Sequence, residues 1–64
     1  MTIGQNLKEA RQNVGMTQKQ LAEKLDVYPK DICRWETGAR VPSADKLAAI
    51  CRALKVSADN ILGL

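Results

Sequence analysis

Helix-start signals recur along the chain, and their spacing is the strongest constraint on its fold. Residues 2–5 and 17–20 both place a threonine three positions before a glutamine, which is the form of a capping box. Ser43 and Ser57 each stand before an Ala-Asp pair, so a hydroxyl cap precedes an acid that suits the positive end of a helix. Pro29 marks a further start, because proline is favoured at the first helical position. These signals predict five short helices.

The stops between these starts are equally clear. Gly15 and Gly38 follow the first and third predicted helices, and Pro42 stands just before the fourth. The apolar residues between these marks follow the helical period, and no stretch reads as a strand. We expect helices near residues 2–13, 18–25, 29–37, 44–54 and 58–62. The loops are short, so the predicted fold class is all-α: a compact five-helix bundle that forms one domain over residues 1–64.

The composition limits the kinds of site that the chain can hold. Cys33 and Cys51 are the only cysteines and there is no histidine, so the four ligands of a structural zinc site are missing. No apolar run approaches the roughly 18 residues of a membrane span. The start of the chain lacks the basic and apolar stretches of a signal peptide. We therefore expect a cytoplasmic protein with free thiols, no membrane contact and no cofactor. The net charge of +3 is a mild indication of an anionic partner.

The second and third predicted helices form the most informative pair. Ala22 supplies the small residue that two steeply crossing helices need where they come closest, and only residues 25–27 join them. Apolar residues on both helices supply the core that fixes the crossing angle: Leu21, Leu25, Val27, Ile32 and Trp35. Lys30 and Arg34 point to the opposite side of the third helix. This is the sequence form of a helix-turn-helix with one basic face.

Four segments of the chain carry a resemblance to a known family: TQKQLAEKL, ICRWETG, VPSADKLAAICRAL and VSADNILG. They resemble the Cro and phage-repressor class of helix-turn-helix proteins, the XRE-like family. This resemblance implies a lambda-repressor-like fold. The resemblance runs nearly end to end, over residues 3–63. It implies binding to double-stranded operator DNA, with the third helix in the major groove and the second helix across the backbone.

The resemblance also implies roles for particular residues. The implied DNA-binding residues are Gln18, Lys19, Tyr28, Pro29, Lys30, Arg34 and Arg40. Gln18 would contact a phosphate through its side-chain amide and the start of the second helix, although it could simply complete the first turn of that helix. Arg40 would meet a phosphate from the loop after the third helix. Residues 28–30 and Arg34 occupy the positions nearest the bases.

The family pattern supplies structural expectations as well. Arg11 and Glu36 match an ion pair that ties the first helix to the third, and we interpret this pair as structural. Asp26 and Lys55 stand where glycine is usual, and both positions are expected to need a left-handed backbone. The Tyr-Pro pair at residues 28–29 replaces a small hydroxyl cap and a residue that often donates a hydrogen bond. We expect this replacement to alter how the protein contacts the bases and to leave the fold unchanged.

Structural explanations compete with some of these roles. Lys30 and Arg34 could form a solvated helix face, and Tyr28 could be an aromatic residue at the edge of the core. Asp31 fits a partner of the helix dipole better than a base contact, because acids repel phosphates. Cys33 faces outward near the expected DNA surface, so a redox switch is a remaining and weaker hypothesis.

The leading hypothesis is a sequence-specific DNA-binding transcriptional regulator, a small repressor that acts as a homodimer on a palindromic operator. The expected dimer seam contains three apolar residues that a short terminal helix cannot bury alone: Ile61, Leu62 and Leu64. The loop that carries Val41 and Pro42 is expected to contribute to the same seam. The alternative is an antitoxin-like protein-interaction module of the same fold, with DNA binding secondary or lost. Pro29 and Asp31 favour that alternative. No residues look catalytic, so an enzyme is not expected, and neither is a small-molecule ligand.

Overall fold

The computed structural model describes residues 2–64 as a bundle of five α-helices. The helices are α1 (Ile3–Asn13), α2 (Gln18–Leu25), α3 (Pro29–Thr37), α4 (Ala44–Leu54) and α5 (Ala58–Leu62). Residues 2–64 contain no strand, so the predicted all-α fold with five helices is confirmed. Only the start of α1 differs, by one residue, because Thr2 is its cap. Met1, the first residue of the predicted domain, lies outside the described residues.

Side-chain caps explain where four of the helices begin. Thr2 Oγ1 accepts a hydrogen bond from the Gln5 backbone N–H at 3.1 Å, and Gln5 Oε1 accepts one from the Thr2 N–H at 2.9 Å. Residues 17–20 form the same reciprocal box at the start of α2. Ser43 and Ser57 cap α4 and α5 through their hydroxyl oxygens. Each contact satisfies an N–H that a helix leaves without a partner in its first turn, so these predicted caps are confirmed.

The core draws a side chain from every helix. Its fully buried members are Leu7, Leu21, Ile32, Ile50, Leu54 and Ile61. α3 packs against α1 and α2, and α5 packs against α1 and α4, so the helix-turn-helix pair shares one hydrophobic core with the rest of the bundle. Ile61 is 0% exposed, which makes its place in the expected dimer seam wrong. That side chain fills the core of its own chain, whereas Leu62 and Leu64 are exposed.

The amino end of α1 lies directly against the carboxyl end of α3. A Cβ atom placed on Gly4 would lie 2.5 Å from the carbonyl oxygen of Trp35 and 2.6 Å from that of Glu36. These distances are well below a van der Waals contact, so only a residue without a side chain fits at position 4. The contact also brings the positive end of one helix dipole to the negative end of another, which favours both helices.

Two residues with side chains end helices in the left-handed conformation. Asp26 follows α2 with φ 55° and ψ 46°, and Lys55 follows α4 with φ 57° and ψ 44°. The expectation that both positions need a left-handed backbone is therefore confirmed. Aspartate tolerates this conformation because its short polar side chain can bond locally, but lysine has no such compensation.

Replacing Lys55 by glycine is expected to raise the free energy of unfolding by about 1 kcal/mol, because the left-handed backbone strains a residue that carries a Cβ. The control is Lys8→Gly, which removes the same charge from an exposed position inside α1. It should lower the free energy of unfolding by about 1 kcal/mol. Urea denaturation of the native chain and of both variants gives the sign of each change in the free energy of unfolding. A loss of stability in Lys55→Gly equal to that in Lys8→Gly would show that the left-handed residue carries no strain.

Candidate nucleic-acid interface

The two sides of α3 differ in burial and in charge. Ile32, Trp35 and Glu36 are buried against the rest of the bundle, at no more than 8% exposure. Lys30 and Arg34, four positions apart, are exposed on the other side. The structure therefore presents a basic face of α3, formed by Lys30 and Arg34, while the buried side fixes the helix to the core.

The start of α3 is also open to solvent. Tyr28 precedes the first turn and is 77% exposed, so the hypothesis that it is an aromatic residue at the core edge is wrong. Pro29 is the first helical residue, as predicted, and is exposed. Asp31 Oδ2 accepts a hydrogen bond from the Tyr28 backbone N–H at 3.1 Å. Asp31 thus stabilises the positive end of the helix, as expected of a helix-dipole partner.

Asp31 has a second neighbour in Arg34. Asp31 Oδ1 lies 3.9 Å from Arg34 Nη1, and the Arg34 side chain is 50% exposed. An ion pair that is this long and this exposed contributes little to stability. The guanidinium of Arg34 therefore keeps most of its donors free, and its planar fork can bond two acceptors at once.

The other sequence-predicted residues lie on α2 and on the loop after α3. Gln18, the first residue of α2, is half-buried, and Lys19 beside it is exposed. Arg40 is exposed in the loop after α3. The Arg40 backbone N–H donates to the Arg34 carbonyl at 3.2 Å, which holds this loop to the end of α3. The sequence-predicted residues thus lie on three segments: the start of α2, α3 with its cap, and the loop after α3.

A buried ion pair ties α1 to α3. Arg11 Nε lies 2.6 Å from Glu36 Oε2, and Arg11 Nη2 donates to Glu36 Oε1 at 3.1 Å, which is the two-bond geometry of a guanidinium on a carboxylate. The two side chains are only 9% and 3% exposed. Arg11 Nη1 also donates to the Met16 carbonyl at 2.7 Å, which fastens the loop before α2. The ion pair expected from the family resemblance is confirmed.

Glu36 has a further partner that the sequence did not indicate. Gln18 Nε2 donates to Glu36 Oε1 at 3.0 Å, so the start of α2 is joined to α3 through the carboxylate that also binds Arg11. Gln18 and Glu36 lie on different helices, and no local pattern connects them. The phosphate contact that the resemblance implies for Gln18 stays a prediction.

The cysteines lie outside any cluster of metal ligands. Cys33 is exposed on α3 and Cys51 is half-buried on α4, both as free thiols. Within residues 2–64, no three side chains of the metal-binding types come together. None of the helices in that range has the length and apolar character that crossing a membrane requires.

The chain is similar in sequence to known helix-turn-helix proteins. Residues 7–61 match the family model described as Helix-turn-helix. The HTH-type transcriptional regulator ImmR of Bacillus subtilis (strain 168) is 41% identical over 63 residues, which cover 98% of this chain and 50% of that protein. This chain spans about half the length, or less, of the curated relatives that it matches.

Two solved structures share the fold over nearly the whole chain. The P22 c2 repressor protein, in complex with synthetic operator 9T in the presence of Tl+, superimposes with a TM-score of 0.91 at 26% identity. That match covers 97% of this chain and 94% of the repressor chain. SinR, the master regulator for biofilm formation, in complex with DNA, gives a TM-score of 0.87 at 30% identity and covers 94% and 97%.

Proposed function

The chain belongs to the helix-turn-helix family, and we propose that it is a DNA-binding transcriptional regulator that acts in the cytoplasm as a small repressor. The observation that carries the proposal is the basic face of α3: Lys30 and Arg34 are exposed, while the opposite side of the helix is buried. A helix that is fixed, exposed and basic has the shape and charge that fit the major groove of DNA. The matching folds of the P22 c2 repressor and SinR, each solved with DNA, support the proposal.

In the proposed complex, α3 enters the major groove of double-stranded DNA and α2 crosses the backbone. The DNA-binding residues then fall into groups by the part of the duplex that they contact. Lys30 and Arg34 contact base edges, with Tyr28 and Pro29 at the entrance of the groove. Gln18, Lys19 and Arg40 contact phosphates. Base contacts specify the sequence, and phosphate contacts position the protein on the duplex.

The direct test is selection of bound sites from random DNA, followed by binding to the selected and a scrambled duplex at two salt concentrations. A sequence-specific regulator should prefer the selected duplex by about 10³-fold or more at physiological salt. The second candidate function is a protein-interaction module of the same fold, which the carboxylate of Asp31 on the first turn of α3 favours, since a phosphate would repel it. Binding that stays weak and equal for both duplexes would overturn the proposal and favour that module.

Arg34→Ala is expected to weaken binding to the selected duplex by about 1–3 kcal/mol and binding to scrambled DNA only slightly, because the guanidinium would bond both acceptors of a guanine. Arg40→Ala should weaken binding to both duplexes alike and reduce the salt slope by about one unit per subunit, as expected for a phosphate contact. Lys30→Ala should fall between them. The measurement is DNA affinity for each duplex across a salt series.

Arg52→Ala is the matched control for these variants. Arg52 is exposed on α4, which carries none of the proposed contacts, and its loss changes the net charge by the same amount. It should leave the preference for the selected duplex unchanged. Equal weakening of both duplexes by Arg34→Ala would make Arg34 a phosphate contact and would contradict its proposed role.

We also propose that the regulator binds a palindromic operator as a homodimer, with two modules set one helical turn apart, about 34 Å. Three of the four residues that remain for the seam are exposed: Val41 at 72%, Leu62 at 38% and Leu64 at 89%. Pro42 lies beside Val41 in the loop after α3 and is half-buried. Apolar side chains with this much exposed surface favour a contact that removes them from water.

Replacing Leu62 and Leu64 together by aspartate is expected to abolish two-fold binding, because it places charge in the proposed seam. Sedimentation of the protein with its operator should then show one copy per duplex where the native chain shows two. Val14→Asp is the control, because Val14 is also exposed, at 47%, but follows α1. One native copy per operator, together with monomers at high concentration, would refute the dimer.

A further inference from the structure

One carboxylate joins three helices. Glu36 on α3 accepts hydrogen bonds from Arg11 on α1 and from Gln18 on α2, and its side chain is only 3% exposed. Arg11 already supplies a two-bond partner that balances the charge. Charge balance therefore does not require the hydrogen bond from Gln18. The effect of that bond is on the Gln18 side chain, whose orientation it restricts.

The bond determines which way the Gln18 amide points. A carboxylate only accepts hydrogen bonds, so the amide turns its nitrogen toward Glu36 and not its oxygen. The amide nitrogen carries two N–H donors, and Glu36 takes one of them. Gln18 has thus given up much of its rotamer freedom before any ligand arrives, and a second donor on the same nitrogen is left over.

The position of Gln18 makes that second donor useful. Gln18 is the first residue of α2, where the backbone N–H groups of the first turn have no partner within the helix. The capping box satisfies the N–H groups of Thr17 and Gln20, so those of Gln18 and Lys19 remain for a ligand. An anion at this end would meet both the helix dipole and the amide. The Glu36 charge would not repel it, because Arg11 lies against the carboxylate.

We propose that Glu36 is a positioning residue for DNA binding: it holds the Gln18 amide in the orientation that donates to a DNA phosphate. This inference rests on the proposed DNA-binding function and adds a second role to a residue interpreted from sequence as structural. The same hydrogen bond links the proposed contact of α2 with the DNA phosphates to α3, which carries Lys30 and Arg34.

The test is a double-mutant cycle on DNA affinity. Gln18→Ala is made in the native chain and in a chain that carries Arg11→Met and Glu36→Met, which removes the acceptor and its charge partner together and leaves no buried charge unpaired. In the native chain, Gln18→Ala should weaken binding to selected and scrambled duplexes by about tenfold. The salt slope should not change, because glutamine carries no charge. In the methionine chain, Gln18→Ala should weaken DNA affinity only about twofold, because the amide is no longer held in place.

Lys19→Ala is the control for this cycle. Lys19 is exposed in the same turn of α2, so its substitution should cost equally in both chains and should lower the salt slope. An equal cost of Gln18→Ala in both chains would overturn the positioning role while leaving the proposed function intact. If the native chain bound no duplex, the proposed function and this inference would fall together.

A second measurement needs only the native chain. Relaxation of the side-chain amide nitrogens by NMR should show Gln18 restrained before DNA is added, and the exposed Gln12 of α1 mobile. The Gln18 amide signal should shift further when the selected duplex is added. A Gln18 amide as mobile as that of Gln12 would overturn the positioning role, even if the methionine chain failed to fold.

Discussion

Replacing Glu36 by alanine is expected to lower the free energy of unfolding by about 3–5 kcal/mol. The substitution leaves the buried Arg11 guanidinium without its counter-charge, with the Met16 carbonyl as its remaining hydrogen-bond partner. It also removes the acceptor of Gln18. A small domain has only about 5–15 kcal/mol of stability in all. The melting temperature should therefore fall by more than about 12 °C.

Glu23→Ala is the matched control for Glu36→Ala. Glu23 lies on α2 and is exposed, so the same change of charge should alter the free energy of unfolding by less than about 0.5 kcal/mol. Thermal unfolding at low and high salt compares the two variants. The difference should persist at high salt, because a buried pair is screened much less than an exposed one. Melting temperatures that coincide would show that the ion pair does not stabilise the fold.

Gly4→Ala is expected to destabilise the domain by about 3 kcal/mol, at the upper end of the usual cost of overfilling a packed interior. The added methyl group would overlap the carbonyl oxygens of Trp35 and Glu36, which are main-chain atoms that cannot rotate away. α1 and α3 would have to separate, and the separation would stretch the Arg11–Glu36 pair as well. Urea denaturation measures the change in the free energy of unfolding.

The sign of the Gly4→Ala effect is what makes this test sharp. Alanine favours a helix over glycine by about 1 kcal/mol, so an unobstructed exchange would stabilise the domain. Position 8 supplies that reference, because Lys8 is exposed inside α1 and the variants Lys8→Gly and Lys8→Ala differ by one methyl group. Alanine should be the more stable residue at position 8 and the less stable one at position 4. Stabilisation at both positions would show that α1 and α3 do not approach as closely as described.

The helix boundaries could be predicted from the sequence because they depend on contacts within three residues, such as the boxes at residues 2–5 and 17–20. The left-handed positions Asp26 and Lys55 followed from the family pattern, since glycine is usual there. The Arg11–Glu36 pair also followed from that pattern. Each of these features is encoded locally or by matching positions.

The features that escaped prediction depend on how helices meet in space. Ile61 is apolar in a five-residue helix, and its residue type alone does not decide between the core of its own chain and a partner. Tyr28 follows the helical period of the buried residues, so the sequence left both a core-edge and an exposed position open. The residue precedes the first turn of α3 and projects into solvent. The Gln18–Glu36 bond and the tight fit of Gly4 require the packing of α2 and α1 on α3.

The caps at the helix starts have a consequence for the kinetics of folding. Each cap closes a loop of three residues, so helical turns can form on the sub-microsecond to microsecond scale before distant parts of the chain meet. The Arg11–Glu36 pair bridges 25 positions, so it forms only when α1 and α3 come together. Chains dominated by local contacts fold in about microseconds to milliseconds. A molecule that opens transiently should therefore close before its exposed core can associate with another chain or be cut by a protease.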